Sequence, residues 1–246
     1  MATITIASDF HDDYHALQQM IDIADTHPDR QVILLGDFFD SFNKHSEPKQ
    51  IAALLTDLAQ HPRPNIRIGR GNHDQLLLDT VAGDDFSLQG WLAAGADKTL
   101  PKLGLYEGLH NVKTVATFMK MHYQPVIDLL QASEVIIDLP DLVAVHAGLD
   151  LDLPDPMQTS LDDALWIRGD YYFESDEQTP RRNPLPKPIV SGHTPVQMFD
   201  ETSNKPVILQ HDDHDTPRYL IDGGSNSGCD NGHVNIVTFV DGVIVD

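Results

Sequence analysis

Five short apolar runs in this chain each lead into an Asp, Asn or His: Asp9 with His11, Asp37, Asn72, His146 and His193. Carboxylate, imidazole and amide are donors suited to a first-row divalent ion such as Mn, Fe, Zn or Co, and no thiolate joins them. The set is too large for one tetrahedral ion. Two ions roughly 3.5–4 Å apart, sharing one carboxylate, would use every member. Asn72 and His73 are neighbours in Arg70-Gly71-Asn72-His73-Asp74, and adjacent residues rarely bind the same small ion. The pair suggests a division of labour, with Asn72 offering oxygen to a metal and His73 reaching past it towards a substrate. Each residue alone has an ordinary explanation. An Asp after a strand is commonly a turn or helix cap, and any one of the 13 histidines is expected at the surface or satisfied in the core. The case rests on the conjunction.

These residues need elements to bring them together. Thr3 to Ala7 alternates and is rich in Ile and Thr, the pattern of a strand. Leu17, Met20, Ile21 and Ala24 follow at helical spacing. Val32 to Leu35 is a second expected strand, Ile51, Leu54, Leu55 and Leu58 mark a second helix, and Ile66 and Ile68 a third strand that ends in the Asn72-His73 loop. This βαβαβ rhythm calls for parallel strands with crossover helices. Ligands in open α/β sheets bind outside the carboxyl ends of strands, where these side chains lie. Residues 75–131 are mostly helical in pattern, broken near Gly83, Gly90, Gly95, Pro101 and Gly104, and are expected to form a helical insert over one side of the site. Later strands are expected at Val135–Ile137, Leu142–Val145, Ile189–Val190, Val207–Leu209, Tyr219–Ile221, Val234–Val240 and Val243–Val245, with Asp241-Gly242 as a hairpin turn. One domain spanning 1–246 is the expectation for a chain of this length.

The motifs Asp9-x-His11, Gly36-Asp37-x-x-Asp40, Gly71-Asn72-His73-Asp74, His146-Ala147-Gly148 and Gly192-His193-Thr194 occur in the order seen in calcineurin-like metallophosphoesterases, which this chain resembles. Arg70, Trp91 with Gly95 and Thr99, and Leu165-Trp166-Ile167-Arg168 resemble the phosphoprotein phosphatase branch, including bacterial serine/threonine phosphatases and symmetrical diadenosine tetraphosphatases. The resemblance implies a four-layer αββα sandwich of two mixed β-sheets. It implies Asp9 and His11 on one metal, Asp37 bridging both, and Asn72, His146 and His193 on the second. It also implies His73 as the general acid, oriented by Asp40. A water bridging two divalent ions loses a proton near neutral pH and attacks phosphorus in line. An imidazole can then protonate the leaving oxygen, worth roughly 10²–10⁴-fold. Arg168 could clamp phosphate oxygens bidentately, or form an ordinary surface ion pair.

Two positions depart from the family's pattern: Asp12 stands where Gly is usual, and Ser41-Phe42 where the phosphatase branch has Arg-Gly. The missing Arg at Ser41 weakens the likeness to a conventional protein phosphatase; Arg70, Lys44 or Arg168 could compensate. The function implied is metal-dependent hydrolysis of phosphomonoesters, of phosphoproteins or small molecules. Symmetrical cleavage of dinucleoside polyphosphates is the alternative, and a non-catalytic metal-binding scaffold a third that would predict lost ligands. The run His211 to Asp215 is expected to be a solvated hairpin loop rather than a metal site, and Asp222-Gly223-Gly224 a structural turn.

Net charge is −22. Such a field repels nucleic acid and anionic membranes, so neither is an expected partner, and an anionic substrate needs local attraction that divalent cations would supply. No apolar span of membrane length occurs, and no basic-then-apolar leader is evident. A single Cys, Cys229, suits a reducing cytoplasm.

Overall fold

The computed structural model describes residues 3–43, 46–175, 178–226 and 232–245; Lys44 and Cys229 lie outside them. In chain order the strands are β1 (Thr3–Ala7), β2 (Gln31–Leu35), β3 (Ile66–Gly69), β4 (Ile136–Asp138), β5 (Val143–Val145), β6 (Ile189–Ser191), β7 (Val207–Leu209), β8 (Arg218–Leu220), β9 (Ile236–Val240) and β10 (Val243–Ile244). They form two mixed five-stranded sheets, ordered β10-β9-β1-β2-β3 and β4-β5-β6-β8-β7. β1, β2 and β3 run parallel, as do β5, β6 and β8. Each sheet thus carries a parallel trio whose carboxyl ends can share one crevice.

Period-2 alternation sets the layers. Ile4 and Ile6 of β1 and Ile33 and Leu35 of β2 face the second sheet, packing with Ile137, Ala144, Val190 and Tyr219. The alternate residues Ala7, Val32 and Leu34 face the helices instead. Burying each such Ile or Leu is worth about 1.5–3 kcal/mol. The outer helical layer begins with α1 (Tyr14–Thr26) and α2 (Pro48–Gln60). Asp13 caps α1 by accepting from the Ala16 N–H at 3.0 Å, and Pro48 opens α2 where a missing N–H costs nothing. On the far side, Tyr171 and Tyr172 pack over Val143, Val145, Ile189 and Leu220. The result is the expected αββα sandwich.

Between β3 and β4 lie α3 (Asn72–Ala82), α4 (Asp85–Trp91), a wide π turn at Leu92–Ala96, α5 (Asp97–Leu103) and α6 (Val112–Gln131). Their apolar faces, including Leu77, Trp91, Leu100 and Met119, join the core that covers the first sheet. Gly83 and Gly104 end helices in left-handed conformations, and Gly95 (φ 124°) kinks the π turn. Gly90 and Pro101, expected as breaks, stay inside α4 and α5. For Gly90 the reason is a strong start: Asp84 accepts from the N–H groups of Phe86 and Ser87, and Leu88 and Trp91 are buried. Two short helices follow β5, α7 (Leu161–Trp166) and α8 (Gly169–Tyr172). Asp241 and Gly242 both take positive φ, the signature of the expected hairpin turn between β9 and β10.

His211 to Asp215 does connect the antiparallel strands β7 and β8. It is not wholly solvated, however. Asp215 is buried, accepting from the backbone N–H groups of Asn183 and His211. Among the described residues no helix is long and apolar enough to cross a membrane.

Candidate functional site

Asp9, Asp37 and Asn72 follow β1, β2 and β3; His146, His193 and Asp222 follow β5, β6 and β8. The two parallel trios therefore deliver three polar side chains each. The backbone there is strained: Asp9 (φ 56°), His11 (40°), Asp12 (66°), Asp37 (53°), Asp40 (75°) and His193 (65°) are all left-handed. Among the described non-glycine residues only Asp241, in its hairpin turn, shares that conformation. Such strain persists where surrounding packing over-determines it, commonly at functional sites. Two glycines permit the close approach. A Cβ on Gly71 would stand 2.1 Å from Asp37 Oδ1, and one on Gly192 would stand 2.1 Å from Asp9 Oδ2.

The converging side chains are almost wholly buried. Asp37 Oδ2 is the hub, with Nε2 of His146 at 3.5 Å, of His11 at 3.7 Å and of His73 at 3.9 Å. These spacings are too long for hydrogen bonds. His11 Nδ1 lies 2.9 Å from the Phe39 carbonyl and His146 Nδ1 lies 3.2 Å from the Leu35 carbonyl. A carbonyl only accepts, so both rings donate from Nδ1 and turn Nε2 inward, the arrangement that orients a metal-ligating histidine. His146 Nε2 also faces Asn72 Oδ1 at 2.9 Å. A neutral ring would set a lone pair against a carbonyl-type oxygen there, a conflict that either a proton or a cation relieves. Burial opposes charge on His146, but Asp37 beside it prevails and holds its pKa at about 10. His193 is the reverse case: burial, reinforced by His146, pushes it down to about 2. Its Nε2 is buried with no hydrogen-bond partner among the described residues.

Two groups of donor atoms lie within 4.8 Å of one another: His11, Asp37 and His73, and Asp9, Asp37 and His146. Asp37 is common to both. The ion-pair partners of Asp9 and Asp37 among the described residues are histidines, with no Lys or Arg. Buried carboxylates without a Lys or Arg partner, imidazole Nε2 atoms turned towards them and an orphaned His193 nitrogen together fit divalent metal ions.

His73 sits differently. Its Nδ1 lies 3.1 Å from Asp40 Oδ2, and the Trp91 indole N–H donates to the same oxygen at 2.6 Å. Burial disfavours charge on His73, yet Asp37 and Asp40 raise its pKa to about 9. In the metal-free chain these carboxylates therefore favour the protonated ring, with Nε2 turned into the cleft. Asn72 and His73 open α3 rather than lying on a loop. Asp74, which sequence reasoning passed over, explains this: its carboxylate accepts from the N–H groups of Gly71 and Asp37, both at 2.9 Å. That bond caps the helix and ties the two motifs together. An Asp three residues after a capping Gly was the available signal.

A cleft of about 220 Å³ lies over these groups, lined by Asp9, His11, Asp37, Asn72, His73, Ala94, Trp166, Arg168, His193, Pro195, Asp222 and Asn226. Arg168 is exposed at its edge and donates to Thr194 Oγ1. Arg70 is not brought to it. Its guanidinium bonds Gln75, Ser133 and the carbonyls of Leu130, Gln131 and Ser133, closing the C-terminal end of α6. The expectation that Arg70 binds substrate is corrected accordingly, because its donors are committed to a helix end. Asp222, expected to be structural, is buried in the cleft wall. Burial, with Asp9 nearby, raises its carboxyl well above the usual range. Burial and the charge of Asp40 likewise push Asp12 up to about 7. Trp166, named with Arg168 in the Leu165-Trp166-Ile167-Arg168 motif but given no role, lines the cleft; Asn226 was missed, since nothing local to it signals the site. Trp166 stands edge-on to His193, ring centroids 5.9 Å apart.

The sequence matches the family model for calcineurin-like phosphoesterases over residues 2–224. No curated protein matches it. The cold-active protein-tyrosine phosphatase of a psychrophilic Shewanella species is similar in fold, with TM-score 0.55 at 16% identity over 100% of this chain and 80% of that one. A protein serine/threonine phosphatase from Saccharomyces cerevisiae, with similarity to human phosphatase PP5, gives TM-score 0.53 at 13% identity, covering 96% of this chain and 72% of that one.

Proposed function

The chain belongs to the calcineurin-like phosphoesterase family, and we propose that it is a phosphomonoesterase working with two divalent metal ions, manganese foremost. The observation that supports this reading best is Asp37, whose one carboxylate oxygen has three imidazole nitrogens 3.5–3.9 Å away. Asp9 and His11 would hold one ion, and Asn72, His146 and His193 the other, with Asp37 between them. Bound ions would supply Lewis-acid charge at the phosphoryl oxygens and lower the pKa of water.

The side chains do the rest. His73, protonated and fixed through Nδ1 by Asp40, donates from Nε2 to the departing alkoxide. Asp40 holds the ring, and Trp91 holds Asp40. Arg168 gathers the outer phosphoryl oxygens at the cleft edge. Helices α3 to α6 serve as the insert that walls one side, through Ala94 and the Trp91–Asp40 contact. Phosphoproteins and small phosphomonoesters are the substrates, and a cytoplasmic location accords with the single Cys.

The test is a hydrolysis panel with manganese or with chelator, comparing a nitrophenyl phosphate ester, a phosphoserine peptide and diadenosine tetraphosphate. Metal-dependent turnover of the first two is expected. Turnover insensitive to chelator, or diadenosine tetraphosphate as the best substrate, would contradict the reading.

A further inference from the structure

The short helix α8 grips one hydroxyl from both of its ends. Arg168, which precedes it, and Tyr172, its last residue, are four positions apart and share a face. Arg168 donates from Nη1 to Thr194 Oγ1, and the Tyr172 hydroxyl donates to the same oxygen at 2.5 Å. A hydroxyl oxygen has two acceptor lone pairs, and these two bonds use both. Thr194 immediately follows His193 beyond β6, so the grip closes beside the cleft that Arg168 and His193 line together.

The body of α8 is held so that this geometry is kept. Arg218, wholly buried on β8 next to β6, donates to the carbonyls of Tyr171 and Tyr172. Its guanidinium also lies over the Tyr171 ring, 4.9 Å from the centroid. From the other side, a Cβ on Gly148 would stand 2.7 Å from that ring, so glycine after His146-Ala147 lets α8 lie this close. Tyr172 is 5% exposed, its ring edge-on to Phe199 with centroids 5.1 Å apart. Burial pushes its hydroxyl up to about 12, so it remains a donor through the neutral range.

Arg168, by contrast, is exposed, and a long exposed side chain loses rotamer freedom when a ligand immobilises it. Tying one N–H to Thr194 in advance removes part of that cost and leaves the other guanidinium N–H groups for phosphoryl oxygens. We propose that Tyr172 is a positioning residue for phosphate binding: by fixing the Thr194 hydroxyl it preorganises Arg168 at the cleft edge. This rests on the role given to Arg168 in the phosphomonoesterase reading and supplies the support that role needs.

The test is a double-mutant cycle on the manganese-loaded full chain. Calorimetric affinity for inorganic phosphate is read beside KM and kcat for a nitrophenyl phosphate ester. Tyr172→Phe keeps the ring and should weaken phosphate about threefold, raising KM alike and leaving kcat within a factor of about two. In an Arg168→Ala background the same change should have no further effect, because nothing is left to position. Thr194→Val should act like Tyr172→Phe, and Thr194→Ser, which keeps the hydroxyl, should hold the unaltered affinity. A purely structural Tyr172 would lower the melting temperature and act equally with Arg168 present or absent. Losses that add in the double variant, or phosphate affinity unmoved by Tyr172→Phe, by Thr194→Val or by Arg168→Ala, would overturn the proposal. Non-additive loss of phosphate affinity with no turnover of any ester would instead overturn the phosphomonoesterase reading and leave the positioning role standing.

Discussion

The Trp91 indole N–H donates to Asp40 Oδ2 at 2.6 Å across 51 positions of sequence. The same oxygen lies 3.1 Å from His73 Nδ1. Trp91 is fully buried, so this bond anchors the proposed acid to the helical layer. Trp91→Phe keeps the ring and deletes the donor. It should lower kcat about five- to tenfold with little change in KM, and cost about 1–3 kcal/mol of stability for the unmet polar group. An unchanged kcat, measured beside the melting temperature, would show that Asp40 needs no such anchor.

His73→Asn should still bind metal while losing roughly 10²–10⁴-fold in turnover of alkyl phosphates. A nitrophenyl ester, whose leaving group scarcely needs a proton, should lose far less. Comparing the two substrates separates an acid from a ligand, since loss of a ligand would depress both alike and lower the metal content.

Arg168→Ala is expected to raise KM several-fold and leave kcat within a few-fold. Arg168 is exposed and also donates to Thr194, so its loss should not unfold the chain. An unaltered KM would assign it to the loop around Thr194 rather than to phosphate.

Metal uptake should release protons. The metal-free pKa of His146 is about 10, and a ligating imidazole must be neutral. Calorimetry at pH 7.5 in buffers of different ionisation enthalpy should report about one proton released per chain, and affinity should rise with pH. Stability of the metal-free chain should run the other way. The folded-state values for His73 and His146 lie above the ordinary 6.5, so their contribution is complete below pH 6.5 and is lost as pH rises through about 9 to 10. A melting temperature that is flat or rising across that window in chelator would contradict this.

Much of this architecture was legible because it is local. Period-2 alternation in Thr3–Ala7 and helical spacing from Leu17 to Ala24 mark elements by their own burial, and each proposed ligand follows a strand within a few residues. What stayed hidden depends on tertiary direction. Arg70 precedes the Gly-Asn-His motif in sequence, yet its side chain turns to the end of α6, because Leu130, Gln131 and Ser133 offer carbonyls there. The contact in which the Ser41 N–H donates to Asp12 Oδ2 at 3.3 Å, and the placement of Asn226 in the cleft, come from segments far apart in the chain. No spacing rule connects them. Asn72 was placed on a loop for another reason: the cap that starts α3 at that residue is a carboxylate bond from Asp74 to the preceding backbone, visible only once Gly71 and Asp37 are adjacent.

The most direct test of the account is the number of manganese ions bound per chain at saturation, read by metal analysis for the unaltered protein and for Asp37→Asn. Two ions in the former and failure to retain both in the latter are predicted, with hydrolysis falling in parallel. A single ion in the fully active protein, or two ions and full activity after Asp37→Asn, would contradict a dinuclear centre built around Asp37.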